Sequence, residues 1–295
     1  MIFYLVIFIG ILAVSLAATL IKLCAAPAMV IATYRMLIAS AFFVATGLVR
    51  RVNPLARFSK RDFLLAATSG LFLCLHFGTW ITSLQYTSVA NSVVLIATTP
   101  VFVGLGAIIF LKEKPTKFLL TGILFTTLGT VIVSFQGLGA ATENALLGNV
   151  LALIGAFGAA GYYLLGRELR ARINTFSYVT VVYSITALFL LLITLQMELP
   201  LTGYGGDIYL LLFLIAFVPQ VIGHTSFNWA LQHVSAATVA VISLGEPVAA
   251  PVLAFFILGE EMTTIQLMGG LSILTGVIFA LRGEFLQRTA AKSFG

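Results

Sequence analysis

A carboxylate, Glu246, stands in the middle of "VISLGEPVAAPVLAFFILGEE", an apolar run long enough to cross a bilayer. A charge there is costly, and Pro247 and Pro251 each remove a backbone hydrogen bond where no water can replace it, so the helix is expected to kink. Arg35, in another apolar run, is the candidate partner, while Lys22 lies shallow enough to snorkel to the interface. Three roles are open to Glu246: a structural ion pair with Arg35, a proton carrier, or an anchor for an ammonium group on a solute. Two polar stripes accompany it. His76, Thr79, Trp80 and Ser83 recur at i, i+3, i+4 and i+7, and Gln220, His224 and Asn228 at i, i+4 and i+8. On a helix each set forms one face that must meet protein or a water-filled cavity, serving as interhelical hydrogen-bond glue or as cavity lining. Thr98 and Thr99 beside Pro100, with Asn91 two turns earlier, form a weaker third set, and Tyr34, Tyr162, Tyr163 and Tyr183 add aromatic surface.

The elements that hold these residues follow from composition. Of 295 residues, 60% are hydrophobic and 9% charged, and the mean hydropathy of +1.11 belongs to a polytopic membrane protein. The net charge of +6 would suggest nucleic acid in a soluble chain. Here the basic residues lie between apolar segments and report topology, so no nucleic-acid partner is expected. Cys24 and Cys74 fall within or at the end of apolar spans and match no metal spacing, so neither a metal nor a cofactor is expected. No GxSxG, HExxH or intramembrane aspartate pair supports an enzyme.

Runs of about 20 apolar residues, each spanning about 30 Å, predict ten membrane helices. They cover roughly 2–24, 28–49, 62–85, 89–111, 117–137, 146–167, 175–196, 207–231, 236–258 and 264–282. With ten spans, the loops around Arg50–Arg61, Lys112–Lys117 and Arg167–Arg172 and the tail after Arg282 fall on one side, and they hold 14 of the 16 basic residues. The positive-inside rule then predicts cytoplasmic termini in a cytoplasmic (plasma) membrane, the inner membrane of a cell that has two. Gly155, Gly158, Ala159 and Gly161 allow a close helix contact, either within one protomer or between the protomers of a homodimer.

Shifting the chain by 147 residues aligns "LQYTSVANSVVLIATTPVFVGLGAIIFLKEK" with "LQHVSAATVAVISLGEPVAAPVLAFFILGEE" without a gap, with roughly 15 of about 50 positions identical from Leu84 onward. Pro100 pairs with Pro247, Gly122 with Gly269 and Gly129 with Gly276, whereas Thr99 stands opposite Glu246. Five spans per half is an odd number, so the second copy enters the membrane from the opposite side, as in secondary transporters built from inverted repeats.

The prolines in "TTP" and "GEP", the helix ends "FLKE" and "ILGE", and the pair "LTGILFTTLG" and "LMGGLSILTG" resemble the EamA branch of the drug/metabolite transporter superfamily. The resemblance covers essentially the whole chain. It implies an all-α membrane protein of ten transmembrane helices, arranged as two inverted five-helix repeats (1–141 and 142–295) around a central cavity. It further implies export of small metabolites, drugs or amino acids, with amino-acid export the leading expectation. The alternative is a lipid flippase or an accessory subunit of a lipid-modifying system. Expected to line the pathway are Glu246, Arg35, His76, Trp80, His224, Asn228, Gln220, Thr99 and Asn91, with Pro100, Pro247 and Pro251 as kinks.

Overall fold

The computed structural model of the chain describes residues 2–87, 92, 95–112, 115–134, 144–246, 248–249 and 264–293. Every regular element among them is helical. In chain order these are α1 (Ile2–Ser15), α2 (Ala17–Leu23), α3 (Ala28–Val49), α4 (Lys60–Tyr86), α5 (Thr99–Gly106, continued by a π-helical turn Ala107–Leu111) and α6 (Lys117–Ser134). Then follow α7 (Ala145–Arg170), α8 (Thr175–Gln196), and α9 (Gly206–Ile215), which a π-helical stretch Ala216–His224 joins to α10 (Thr225–Ala230). The last are α11 (Ala236–Ser243) and α12 (Thr264–Ser293). Six of these helical stretches are long and apolar enough to cross a membrane: 2–21, 28–49, 60–86, 145–170, 175–196 and 206–230. Shorter apolar helices cover 99–110, 117–132 and 267–283.

The sequence writes its own helix starts. Ser59 and Asp62 form a reciprocal capping box at the head of α4. Asn174 Oδ1 accepts from Ser177 N at 2.8 Å to begin α8, and Ser235 Oγ accepts from Thr238 N at 3.2 Å to begin α11. Inside the helices, hydroxyls of Thr79, Thr82 and Thr180 donate to carbonyls four residues back, which keeps them satisfied without water.

Polarity is turned inward. Leu48, Phe110 and Leu146 are 75%, 76% and 77% exposed, the surface of a molecule whose solvent is lipid. Between helices, Thr33 meets Thr194 and Ser40 meets Ser184, both at 2.7 Å, joining α3 to α8.

Glycines set the closest approaches. A Cβ on Gly158 would lie 2.8 Å from the backbone nitrogen of His76 and 2.9 Å from the carbonyl of Phe72, so α7 lies almost backbone to backbone on α4. The small-residue face of α7 is thus used within the chain. A Cβ on Gly122 would lie 2.7 Å from Gly276 O, and one on Gly129 2.6 Å from Gly269 O, where α6 and α12 cross antiparallel.

Candidate functional site

Two helix interruptions build the site. Ala97–Thr98 and Leu244–Gly245 are turns, 147 residues apart, held by bonds of the i to i−3 type: Thr98 N to Leu95 O at 3.2 Å, and Gly245 N to Ile242 O at 2.9 Å. Pro100 sits in the first turn of α5, where its missing N–H leaves no intrahelical bond unmade. The break therefore precedes this proline instead of kinking a continuous helix at it. Pro247, Pro251 and Asn91 lie outside the described residues, as does the side chain of Lys22.

Between these turns, α1, α4, α7 and the π stretch enclose a cavity of about 140 Å³. His76, Trp80, Thr99, Tyr163, His224 and Glu246 line it, with Phe227, Ile96 and Val14 giving apolar wall. The close contact of α7 with α4 brings His76 Nδ1 to 2.9 Å from Gly155 O. A carbonyl can only accept, so Nδ1 carries the proton, and in the neutral ring Nε2 is left as an acceptor. Trp80 lies parallel to His76, ring centroids 5.7 Å apart. Thr99 Oγ1 donates to Ile96 O at 2.7 Å and is spent on the turn. Glu246 opens the helical residues after the second turn, with its carboxylate on the cavity side.

The eighth predicted span divides its polar stripe. Spacing of i, i+4 and i+8 presumes 3.6 residues per turn, but Pro219 lies within a π-helical segment whose wider turns alter that register. His224 lines the cavity, edge-on to Phe77 with centroids 5.3 Å apart. Gln220 and Asn228 are fully buried behind it. Asn228, expected on the pathway, instead accepts from Tyr162 Oη at 2.5 Å and donates to Tyr183 Oη at 3.0 Å. Its role is to tie α10 to α7 and α8.

The ion pair offered for Glu246 is not formed. Arg35 is fully buried, donates from Nε to Gln220 Oε1 at 2.8 Å, and stacks its guanidinium 4.2 Å over the Phe77 ring. Neither it nor Gln220 is among the residues that line the cavity.

Thr79 and Ser83, from the first stripe, bond within α4 and to Ser92. Tyr163 and Ser243 line the cavity although neither belonged to a predicted stripe. The signal for Tyr163 was its place one turn after Ala159, another lining residue, on the same face of α7. The assembled surface offers one carboxylate, two imidazoles and a flat aromatic wall within an apolar shell. Such a surface can hold one small polar solute and move a proton, and an engineered benzene-binding cavity of about 150 Å³ sets the scale.

The chain is similar to proteins named as transporters. A transporter of Archaeoglobus fulgidus, named only as uncharacterized, is 26% identical over 253 residues, covering 84% of this chain and 85% of its own. The uncharacterized transporter YetK of Bacillus subtilis is 32% identical over 141 residues, 45% of this chain and 41% of its own. One solved crystal structure superposes with a TM-score of 0.79 at 18% identity, covering 95% of this chain and 97% of its own, a likeness of fold alone. The EamA-like transporter family matches residues 1–135 and again 146–282. An apolar helical exterior, an interior cavity that carries one carboxylate and two imidazoles, and two family matches that together span most of the chain make this an integral membrane transporter, and the chain belongs to the EamA-like transporter family.

Proposed function

We propose that the chain is a secondary transporter that exports small metabolites, amines or amino acids across the cytoplasmic membrane by alternating access. In this reading ten transmembrane helices form two inverted five-helix halves, 1–141 and 142–295, with both termini cytoplasmic. The observation that carries it is the cavity walled by both repeat-related helix turns, 97–98 and 244–245, with Glu246 at its edge. The α6 and α12 crossing supports the same symmetry. Gly122 meets Gly276 and Gly129 meets Gly269, so exchanging the halves turns one contact into the other. Two halves of similar energy can trade conformations and open a shared site to either side.

A volume near 140 Å³ favours a solute of a few heavy atoms over a lipid chain. Glu246 is the acidic group that meets a cation there, either a proton or a solute ammonium. Purified protein in liposomes tests the reading. An outward-directed transporter should accumulate an amino acid or organic cation against a gradient when a pH difference is imposed. Glu246→Gln should abolish accumulation driven by the pH difference if the glutamate carries the proton. Gradient-driven accumulation that survives in Glu246→Gln sinks the proton role and leaves the ammonium role. Failure of any amino acid, amine or organic cation to move under any gradient sinks the transporter assignment of substrate class.

A further inference from the structure

Arg170, at the foot of α7, is 1% exposed, and its hydrogen-bond partners include no carboxylate. Its Nε donates to Asn228 O at 3.0 Å, Nη1 to Ile173 O, and Nη2 to Thr175 Oγ1 at 2.5 Å and Gln232 Oε1 at 2.8 Å. Arg167, three residues earlier, donates from Nη1 to Leu231 O at 2.8 Å. Asn228 and Leu231 stand at the end of α10, where Gln232 N turns to Trp229 O at 3.2 Å and His233 N to Ala230 O at 2.7 Å. A helix end leaves carbonyls to be met from outside, and a cation suits that end of the helix dipole. The carboxylates nearby are engaged elsewhere, Glu168 with Arg61 at 3.2 Å and Asp62 with Arg172 at 2.7 Å.

Neutral acceptors make such a contact reversible. Burying a guanidinium costs hydration, and bonds to carbonyls and a hydroxyl offset that cost without the strong attraction of a carboxylate. When the contact opens, the guanidinium regains water, so the closed and open states lie close in energy.

Successive turns of α7 connect this contact to the cavity. Ala159 and Tyr163 line the cavity. At Gly166 a Cβ would lie 2.8 Å from both Leu231 Cδ1 and Tyr178 Oη, so α7 lies flush against two fully buried side chains. Arg167 and Arg170 follow. Facing them, the six residues of α10 begin directly after His224 and include Phe227, and both of these residues line the cavity. The π-helical stretch before α10, with Pro219 inside it, is a natural joint about which so short a helix can swing.

We propose that Arg170, with Arg167 beside it, is the inner gate of the transporter. It latches the end of α10 to α7, closes the cavity toward the cytoplasm in this structure, and lets go once in each transport cycle. It is a positioning residue that does not touch the solute. Because His224, Phe227 and the latched carbonyls lie on one short segment, a solute that displaces His224 also displaces Asn228 and Leu231. The proposal rests on the alternating-access reading above and assigns it a gate.

With Cys24 and Cys74 replaced by alanine, Ser243→Cys puts a single thiol in the cavity wall. Its reaction with the impermeant reagent 2-(trimethylammonium)ethyl methanethiosulfonate is timed in inside-out and right-side-out vesicles. With Arg170 present, modification from the cytoplasmic side should be slow. Arg170→Ala should speed it at least about 10-fold, the population shift expected from losing one hydrogen bond to a charged group, with no rise from the outer side. Arg170→Lys keeps the charge but cannot span the four acceptors, and should fall in between. Gln232→Leu and Thr175→Val each remove one acceptor and should speed the reaction about 2- to 5-fold, which keeps the test decisive where Arg170→Ala fails to fold. Fast cytoplasmic modification with Arg170 intact, or unchanged rates in the folded variants, overturns the gate. An equal rise from both sides also overturns it and marks Arg170 as a structural brace. The labelling does not depend on transport. If the rates shift as expected but no amino acid, amine or organic cation crosses liposome membranes, the gate stands and the substrate class falls. If the rates do not shift while a solute crosses, the gate falls alone.

Discussion

Replacing Asn228 with leucine removes the acceptor of the buried Tyr162 hydroxyl and one of two partners of the Tyr183 hydroxyl, which keeps Thr225 at 3.3 Å. Each interhelical hydrogen bond in a membrane contributes about 0.6 kcal/mol on average, and an orphaned buried partner can cost about 1–3 kcal/mol. Asn228→Leu is therefore expected to destabilise the chain by about 1–3 kcal/mol. A lowered unfolding temperature in detergent would register this, with solute affinity unchanged because Asn228 does not line the cavity. A selective loss of affinity at unchanged stability would instead return Asn228 to the pathway. His76, Trp80, His224, Glu246 and Thr99 were legible as cavity residues because polar or aromatic groups inside an apolar span must face something other than lipid. That argument says only that a group is enclosed. Whether it meets a cavity or a tyrosine is decided by rotation of the helix through a few tens of degrees, which spacing alone left open for Asn228. Arg35 was legible as an intramembrane charge but not as a guanidinium seated on Phe77, since that contact comes from a helix 42 residues further along the chain.

At the scale of elements, the predicted spans 28–49 and 175–196 coincide with α3 and α8, because long, mostly apolar runs that begin after Pro27 and after the capping Asn174 leave little freedom. The helix turns at 97–98 and 244–245 were legible only to within a few residues. Proline announces a break, but it favours the first turn of a new helix, so the interruption falls just before it. The π register at Ala216–His224 was hidden, since it depends on Gly223 fitting against Val14 of α1 as well as on Pro219. The glycine crossing of α6 and α12 gives the sharper test. A side chain on Gly122 or Gly276 would meet a backbone carbonyl at 2.7 or 2.6 Å, and backbone cannot swing aside as a side chain can. Gly104, on the neighbouring α5, would place its Cβ 3.9 Å from the flexible end of Ile123. Gly122→Ala and Gly276→Ala should each destabilise by about 1–3 kcal/mol or more through overpacking, whereas Gly104→Ala should be close to neutral or slightly stabilising through its higher helix propensity. Unfolding temperatures of the three purified variants decide the matter, and equal values for Gly104→Ala and Gly122→Ala would mean that α6 and α12 do not cross this tightly.

For the whole molecule, the number of crossings can be separated from the number of long helices. If only the six long stretches spanned the membrane, residues 87–144 would all lie on one face, opposite the termini. With ten spans, the turn around Lys117 returns to the side of the termini. The packing favours the second arrangement. Thr99 lies by Ala156 and Gly106 by Leu164, so α5 runs parallel to α7 and delivers Lys112 toward the end that holds Arg170. At that end Arg172 pairs with Asp62 at 2.7 Å and Arg61 with Glu168 at 3.2 Å, joining the head of α4 to the foot of α7. Arg282 lies 6.0 Å over Phe118, bringing the basic tail to the same turn as Lys117. Cys24 and Cys74 are buried and can be replaced by alanine to give a background for single reporters. On that background, exposed Arg57, Lys117 and Thr202 can each be changed to cysteine and treated with a membrane-impermeant maleimide in right-side-out vesicles. Thr202→Cys should react from outside, and Arg57→Cys and Lys117→Cys only after permeabilisation, because positively charged loops stay inside. Reaction of Lys117→Cys from outside alongside Thr202→Cys would leave six crossings and end the inverted-repeat reading. Protection of Thr202→Cys with exposure of Arg57→Cys would keep the repeat but reverse the direction in which the protein faces.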